Sequence, residues 1–236
     1  MSETHPFLDH LEELRRRIFY SLITLAVAAV VAFFFSDRVL ELLTRPVPKL
    51  VFLSPSEAFV VKLKVALASG LFLAAPLIFY QFWRFVRPAL LRHEVKYVVW
   101  AVAVSTVFFL GGVGFAYFIV VPVAMKFLLS FATPKLEPML SIDRYFSTVA
   151  AFLLACGVVF QLPVVSFFLT KLGIITPRTL VKQHRIAIVV IFVVAAILSP
   201  PDVFSQILMA IPLFVLYEAS ILASFLARSK PKQAGG

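Results

Sequence analysis

The chain has 236 residues, 61% of them apolar and 14% charged, where soluble domains run near ~45–50% and ~25%. With a mean hydropathy of +1.00, that composition excludes a soluble globular domain and a disordered chain and leaves an all-α integral membrane protein. The 22 Lys and Arg against 12 Asp and Glu give +10, an excess that in a membrane protein marks orientation and contact with anionic lipids, not nucleic acid.

A hydrocarbon core of ~30 Å needs ~20 apolar residues in a helix. Six spans are predicted, at about 18–35, 65–83, 97–121, 145–170, 186–198 and 203–226, within one membrane domain over 1–228. Ahead of the first span, Phe7, Leu11, Leu14 and Ile18 form one stripe of an amphipathic helix. Glu12 and Glu13 stand four residues before Arg16 and Arg17. That spacing predicts either a surface helix with two ion pairs or a carboxylate held for a cationic ligand. The exit of this span, FFFSDR (33–38), has no small-residue cleavage pattern, so it reads as an anchor and not a cleavable signal.

The second and third spans are joined by YQFWRFVRPALLRHE (80–94), which carries three arginines and one acid, Glu94. Taken alone, Glu94 reads as a solvated acid neutralised by Arg92 and Lys96. The third span continues past Pro122 towards Ala132. Asp143 is placed to cap the fourth span, and Gln161 lies beside the Pro163 kink within it. A carboxamide there can bond a carbonyl freed by the kink or face a partner helix. Pro76, Pro122, Pro163 and Pro212 each remove a backbone donor inside a span and bend it.

The last two spans are short and joined only by SPPD (199–202), where Asp202 is an N-cap candidate for the sixth. Gln206 falls in that helix's first turn. Glu218 follows 15 residues of that span, either embedded as a functional acid or at the inner interface. The polar tail, 229–236, is expected to be mobile.

Six spans put both termini on one side. That side carries 14 of the 22 Lys and Arg, and the opposite side eight, so the positive-inside rule places both termini in the cytoplasm. The cytoplasmic face sums to +9, counting five acids that include Glu13 and Glu94. It should repel a cation unless a carboxylate is placed to receive one.

No phosphate-binding GxxxxGK[ST], HExxH, GxSxG or CxxC pattern occurs, and Cys156 is the single cysteine. Nothing points to an enzyme, a metal or a cofactor. One function class left is an ion or small-molecule secondary transporter lined by Gln161 and Glu218. The absence of an inverted repeat weighs against it.

Several strings in order point elsewhere: HLEELRRR (10–17), YQFWRFVRPALLRHE (80–94), GFAYFIVVPVAMKFL (114–128), LGIITPRTL (172–180) and SPPDVFSQILMAIPLFVLYE (199–218). Together, over roughly residues 5–228, they resemble TatC, the multispanning core subunit of the twin-arginine protein translocase. The resemblance implies a receptor for folded precursors whose signal peptides carry an arginine pair. It further implies assembly with the single-span subunits TatA and TatB, self-association, and transport driven by the proton-motive force across a bacterial or archaeal cytoplasmic membrane. It implies that Glu13 and Glu94 bind the arginine pair, with Arg15, Phe85, Pro88 and Leu90 completing the signal-binding surface. Gln206 and Glu218 match the family's partner-contact and embedded polar positions. Where many members carry a Glu before the fourth-span proline, this chain has Gln161, which donates and accepts hydrogen bonds but does not titrate.

Overall fold

The computed structural model describes residues 6–45, 47, 50–87, 98–130, 139–198 and 203–227. Helix α1 (Pro6–Phe33) fuses the amphipathic stretch and the first span into one rod. A short helix α2 (Ser36–Thr44) follows, which the polar look of the loop had concealed. Its Val39, Leu40 and Leu43 pack on the main core while Arg38 and Glu41 face outward.

Helix α3 (Pro55–Val86) begins ten residues before the predicted span. Ser54 and Glu57 form a capping box and Pro55 occupies the first turn, so the start is set by local chemistry and not by the apolar run. At ~1.5 Å per residue its length is about 48 Å, more than the ~30 Å hydrocarbon requires.

The third span comprises α4 (Val98–Phe115), a π-helical turn Ala116–Val120 and α5 (Val121–Leu129). The extension past Pro122 is as expected. Val121 N–H reaches back to the Ala116 carbonyl, and this widened turn is where the chain accommodates Pro122. The fourth span is likewise split into α6 (Ile142–Val159) and α7 (Leu162–Lys171), with Pro163 in the first turn of α7. Pro76 and Pro212, by contrast, lie inside unbroken helices.

Gly173 closes α7 at φ +75. Its N–H bonds the Thr170 carbonyl at 3.0 Å, and Ile174 N–H bonds that of Leu169 at 3.0 Å, a Schellman ending that needs the left-handed conformation. A short α8 (Pro177–Lys182) leads into α9 (His184–Leu198) and α10 (Val203–Ala227).

Among the described residues five stretches are long and apolar enough to cross a membrane: His10–Phe33, Pro55–Val86, Val98–Phe127, Ile142–Lys171 and Met209–Ala227. The fifth predicted span is a shorter apolar helix, His184–Ile197. Helix α1 packs along α3, α3 against α4 and α6, α4 against α6, and α10 against α7 and α9. The core centres on α6, where Val149, Phe152, Leu153 and Cys156 meet Val61 and Val65 of α3 and Leu213 of α10. A second cluster, Trp83, Val98, Ala101, Val164 and Phe168, lies at the end where α3 finishes. Among the described residues the β-type contact is one isolated bridge, Val51 to Ser141.

Asp143 does not cap the fourth span. Ser141 is its N-cap, with Oγ accepting from Arg144 N–H at 3.4 Å. Asp143 is instead paired with Lys64 of α3 at 2.5 Å. The Glu57 carboxylate binds both sides of this corner. It accepts from Leu53 N–H at 2.6 Å, from Asp143 N–H at 3.0 Å and from the Ser141 hydroxyl.

Candidate functional site

The antiparallel course of α1 and α3 brings the start of α1 beside the end of α3. Glu13 and Arg17, one helical turn apart, share one face of α1, and Arg17 reaches α3 from it. Glu13 Oε1 accepts from Arg17 Nη2 at 2.9 Å, and Arg17 Nη1 donates to Gln81 Oε1 at 3.2 Å. His10 stacks on Phe85, with ring centroids 4.3 Å apart. Leu14, Arg17, Ile18 and Ser21 of α1 and Ile78, Gln81, Phe82 and Phe85 of α3 line a groove of about 340 Å³.

Only one of the two expected ion pairs forms here. Arg16 turns to Tyr20 instead, with Nε donating to the hydroxyl at 3.1 Å and the guanidinium 5.5 Å from the ring centre. Glu12 is exposed, as is Arg15, whereas Glu13 is half-buried. The helix phase thus separates the two adjacent acids. Phe85 joins Glu13 in this region, and Glu94, Pro88 and Leu90 lie outside the described residues.

The remaining polar positions are spread over the bundle. Gln161 sits at the break between α6 and α7, and its Nε2 donates to the Ser105 carbonyl of α4 at 3.0 Å. The carbonyl it satisfies belongs to a neighbouring helix, not to the Pro163 kink. Gln206 Nε2 donates to the Phe192 carbonyl at 3.1 Å, stitching α10 to α9. Glu218 Oε1 lies 3.4 Å from His184 Nδ1 at the start of α9, with its side chain 47% exposed. The neighbouring Tyr217 hydroxyl donates to the Leu180 carbonyl of α8 at 2.7 Å. Glu218 thus lies beside the start of α9, nine residues short of the end of α10. Asp202 lies outside the described residues.

The charged groups sort to the two ends of the bundle. Glu13, Arg17, His184 and Glu218 share one end with Trp83 and Phe168, whose rings are 4.0 Å apart. Asp37 with Lys62 at 2.6 Å, Glu57, and Lys64 with Asp143 occupy the other. Glu57 escaped notice in the sequence although Ser54 and Pro55 before it carry a capping-box signal. Among the described residues no group of three or more His, Cys, Asp or Glu could hold a metal.

Long apolar helices whose described ion pairs gather towards the two ends of the bundle define a multi-pass membrane protein. A profile of TatC, the Sec-independent protein translocase protein, matches residues 9–212. The chain is similar to the Sec-independent protein translocase protein TatC of Aquifex aeolicus (strain VF5), at 42% identity over 97% of this chain and 98% of that one. The corresponding protein of Carboxydothermus hydrogenoformans is 43% identical over 97% of this chain and 95% of that one. A crystal structure of the twin-arginine translocase receptor TatC in DDM superposes with a TM-score of 0.83, at 42% identity, over 93% of this chain and 100% of that chain. The chain belongs to the TatC family and is a core subunit of the Sec-independent translocase.

Proposed function

We propose that this chain is the signal receptor of a twin-arginine translocase, and that Glu13 and Glu94 receive the arginine pair. One observation carries the reading: Glu13 is half-buried and tied through Arg17 to Gln81 at the rim of the α1–α3 groove that Phe85 lines, whereas the adjacent Glu12 is exposed. A guanidinium matches a carboxylate in a two-bond fork, which an ammonium cannot reproduce. Two such acids give a selective lock without a deep pocket. Arg15, Phe85, Pro88 and Leu90 complete the surface, and the signal's apolar segment lies along the groove.

In this reading the chain makes six crossings of a bacterial or archaeal cytoplasmic membrane, with both termini inside. It contacts anionic lipids, associates with itself and recruits TatA and TatB for transport driven by the proton-motive force. Gln161, Gln206 and Glu218 mark the faces offered to those helices. One Nε2–H of each glutamine is used within the chain, which leaves the second Nε2–H and Oε1 to a partner. Asp202 shapes the turn ahead of α10.

The test is peptide binding to the whole protein in detergent. Each charge-assisted hydrogen bond contributes ~1.5–3 kcal/mol, and ~1.4 kcal/mol is tenfold in binding. Glu13→Gln and Glu94→Gln should each weaken a twin-arginine peptide about tenfold or more, and Glu12→Gln much less. A twin-lysine peptide should bind weakly from the start. Equal binding by all three variants and the native protein would defeat the receptor reading.

A further inference from the structure

We infer that Arg17 is a built-in competitor for Glu13: it occupies the receptor carboxylate at rest and sets the affinity threshold an incoming signal must pass. This rests on the reading that Glu13 receives a signal arginine. Glu13 is not an open acid. Its Oε1 is held by Arg17 Nη2 at 2.9 Å, with Arg17 14% and Glu13 31% exposed. The same guanidinium spends Nη1 on Gln81 at 3.2 Å. Its Nε is buried and has no hydrogen-bond partner among the described residues.

Arg17 is therefore an under-used donor. A guanidinium has five N–H groups and is strongest when two of them fork onto one carboxylate. Arg17 instead gives one bond to each of two acceptors and leaves Nε without one. The pair is complete enough to neutralise Glu13 and loose enough to be exchanged. An incoming arginine can take Glu13 as a fork, while Arg17 keeps Gln81 and moves within the groove it lines.

The thermodynamic consequence is specific. If the competent state has Arg17 off Glu13, every ligand's apparent affinity falls by the fraction of that state. The penalty is the same for a twin-arginine and a twin-lysine peptide. Arg17 leaves the affinity ratio between them unchanged and moves both down the scale, so that the weaker one falls below working concentrations. Selectivity by the fork and threshold by the resident arginine are then separate properties of one site. A merely structural Arg17, stapling α1 to α3, would hold Glu13 in place, and its removal would weaken binding.

The experiment measures dissociation constants of two synthetic signal peptides, differing only in an Arg-Arg or Lys-Lys pair, for the full chain in detergent. Arg17→Gln should tighten both by a common factor of about tenfold, the scale of one charge-assisted bond. Arg16→Gln removes the same charge from the outer face and reports the diffuse contribution, expected at about twofold or less. Combining Glu13→Gln with Arg17→Gln should abolish the gain. Where Arg17→Gln lowers the thermal midpoint too far for binding to be measured, Arg17→Lys serves. It keeps the charge and the stem, and should tighten both peptides by a smaller common factor.

If the Arg17 variants weaken binding or leave it unchanged while Glu13→Gln still weakens the twin-arginine peptide, Arg17 positions Glu13 and the competitor proposal is overturned. A tightening no larger than that of Arg16→Gln overturns it too. If Glu13→Gln leaves native binding unchanged, the receptor reading has failed, and that result is distinct from the first.

Discussion

Gln161 Nε2 donates to the main-chain carbonyl of Ser105 at 3.0 Å, tying the break in the fourth span to the middle of α4. The Ser105 hydroxyl accepts from Trp83 Nε1 at 2.9 Å. One buried serine thus joins three helices, from α3 through α4 to the α6–α7 junction.

This linkage changes what substitution at Gln161 should do. Interhelical hydrogen bonds in membranes average ~0.6 kcal/mol and reach ~1.7. Gln161→Leu removes the side-chain donor that the Ser105 carbonyl accepts beside its own helical N–H, so the thermal midpoint in detergent should fall by an amount worth about 1 kcal/mol or less. Gln161→Glu can donate only when protonated, so its midpoint should drop as pH rises while the native midpoint shows no such added slope. An unchanged midpoint for Gln161→Leu would show that the amide bond carries no stability.

A second expectation concerns Glu57, whose carboxylate gathers Leu53, Ser141 and Asp143 at the opposite end of the bundle. Glu57→Ala removes half of the capping box and the tie between two loops. Loss of the cap and of these charge-assisted bonds should lower the thermal midpoint of reversible unfolding. Ser141→Ala should cost less, and the double variant should cost less than the two added together. Strict additivity would mean that the two side chains are not coupled.

The apolar runs made the long helices legible, since nothing but a lipid-facing bundle accommodates so much exposed hydrocarbon. Helix ends were less so. Residues 55–64 hold Glu57, Lys62 and Lys64, which break the apolar run while leaving the helix intact. The pairing of Glu13 with Arg17 was readable because both partners lie on one helix. The Ser105 partner of Gln161 was not, because it stands 56 residues away and depends on how two helices pack. Asp143 was misassigned for a related reason. An acid in a first turn reads as a cap until the opposing lysine, 79 residues distant, is seen.

The proposed orientation rests on the unequal Lys and Arg count and can be tested at a described position. Met139 is 76% exposed at the start of the α6 corner, while the native Cys156 is buried. Met139→Cys should therefore react with an impermeant thiol reagent applied to intact cells. Lys182→Cys, at the other end of the bundle, should react only after the membrane is opened. The reverse pattern would invert the topology.

The last expectation links the packing of α1 to the site. Gly70 of α3 meets α1 so closely that an added Cβ would lie 2.6 Å from Ala29 Cα and N. The obstacle is backbone, which cannot rotate away, so Gly70→Ala must push the two helices apart. Overpacking of this kind costs ~1–3 kcal/mol. Because α1 rests mainly on α3, the displacement should reach the other end of the pair, where Arg17, which holds Glu13, lines one groove with Gln81 and Phe85. Gly70→Ala is therefore expected to lower the thermal midpoint and weaken the twin-arginine peptide severalfold. Gly111→Ala is the matched control. Nothing lies within 4 Å of its added methyl, and the helix gains ~0.5–1 kcal/mol from losing a mid-helix glycine. It should leave peptide affinity untouched and raise the midpoint slightly. If Gly70→Ala loses stability but binds the peptide like the native protein, the groove is set by local contacts at its own end and not by the close approach of α1 to α3.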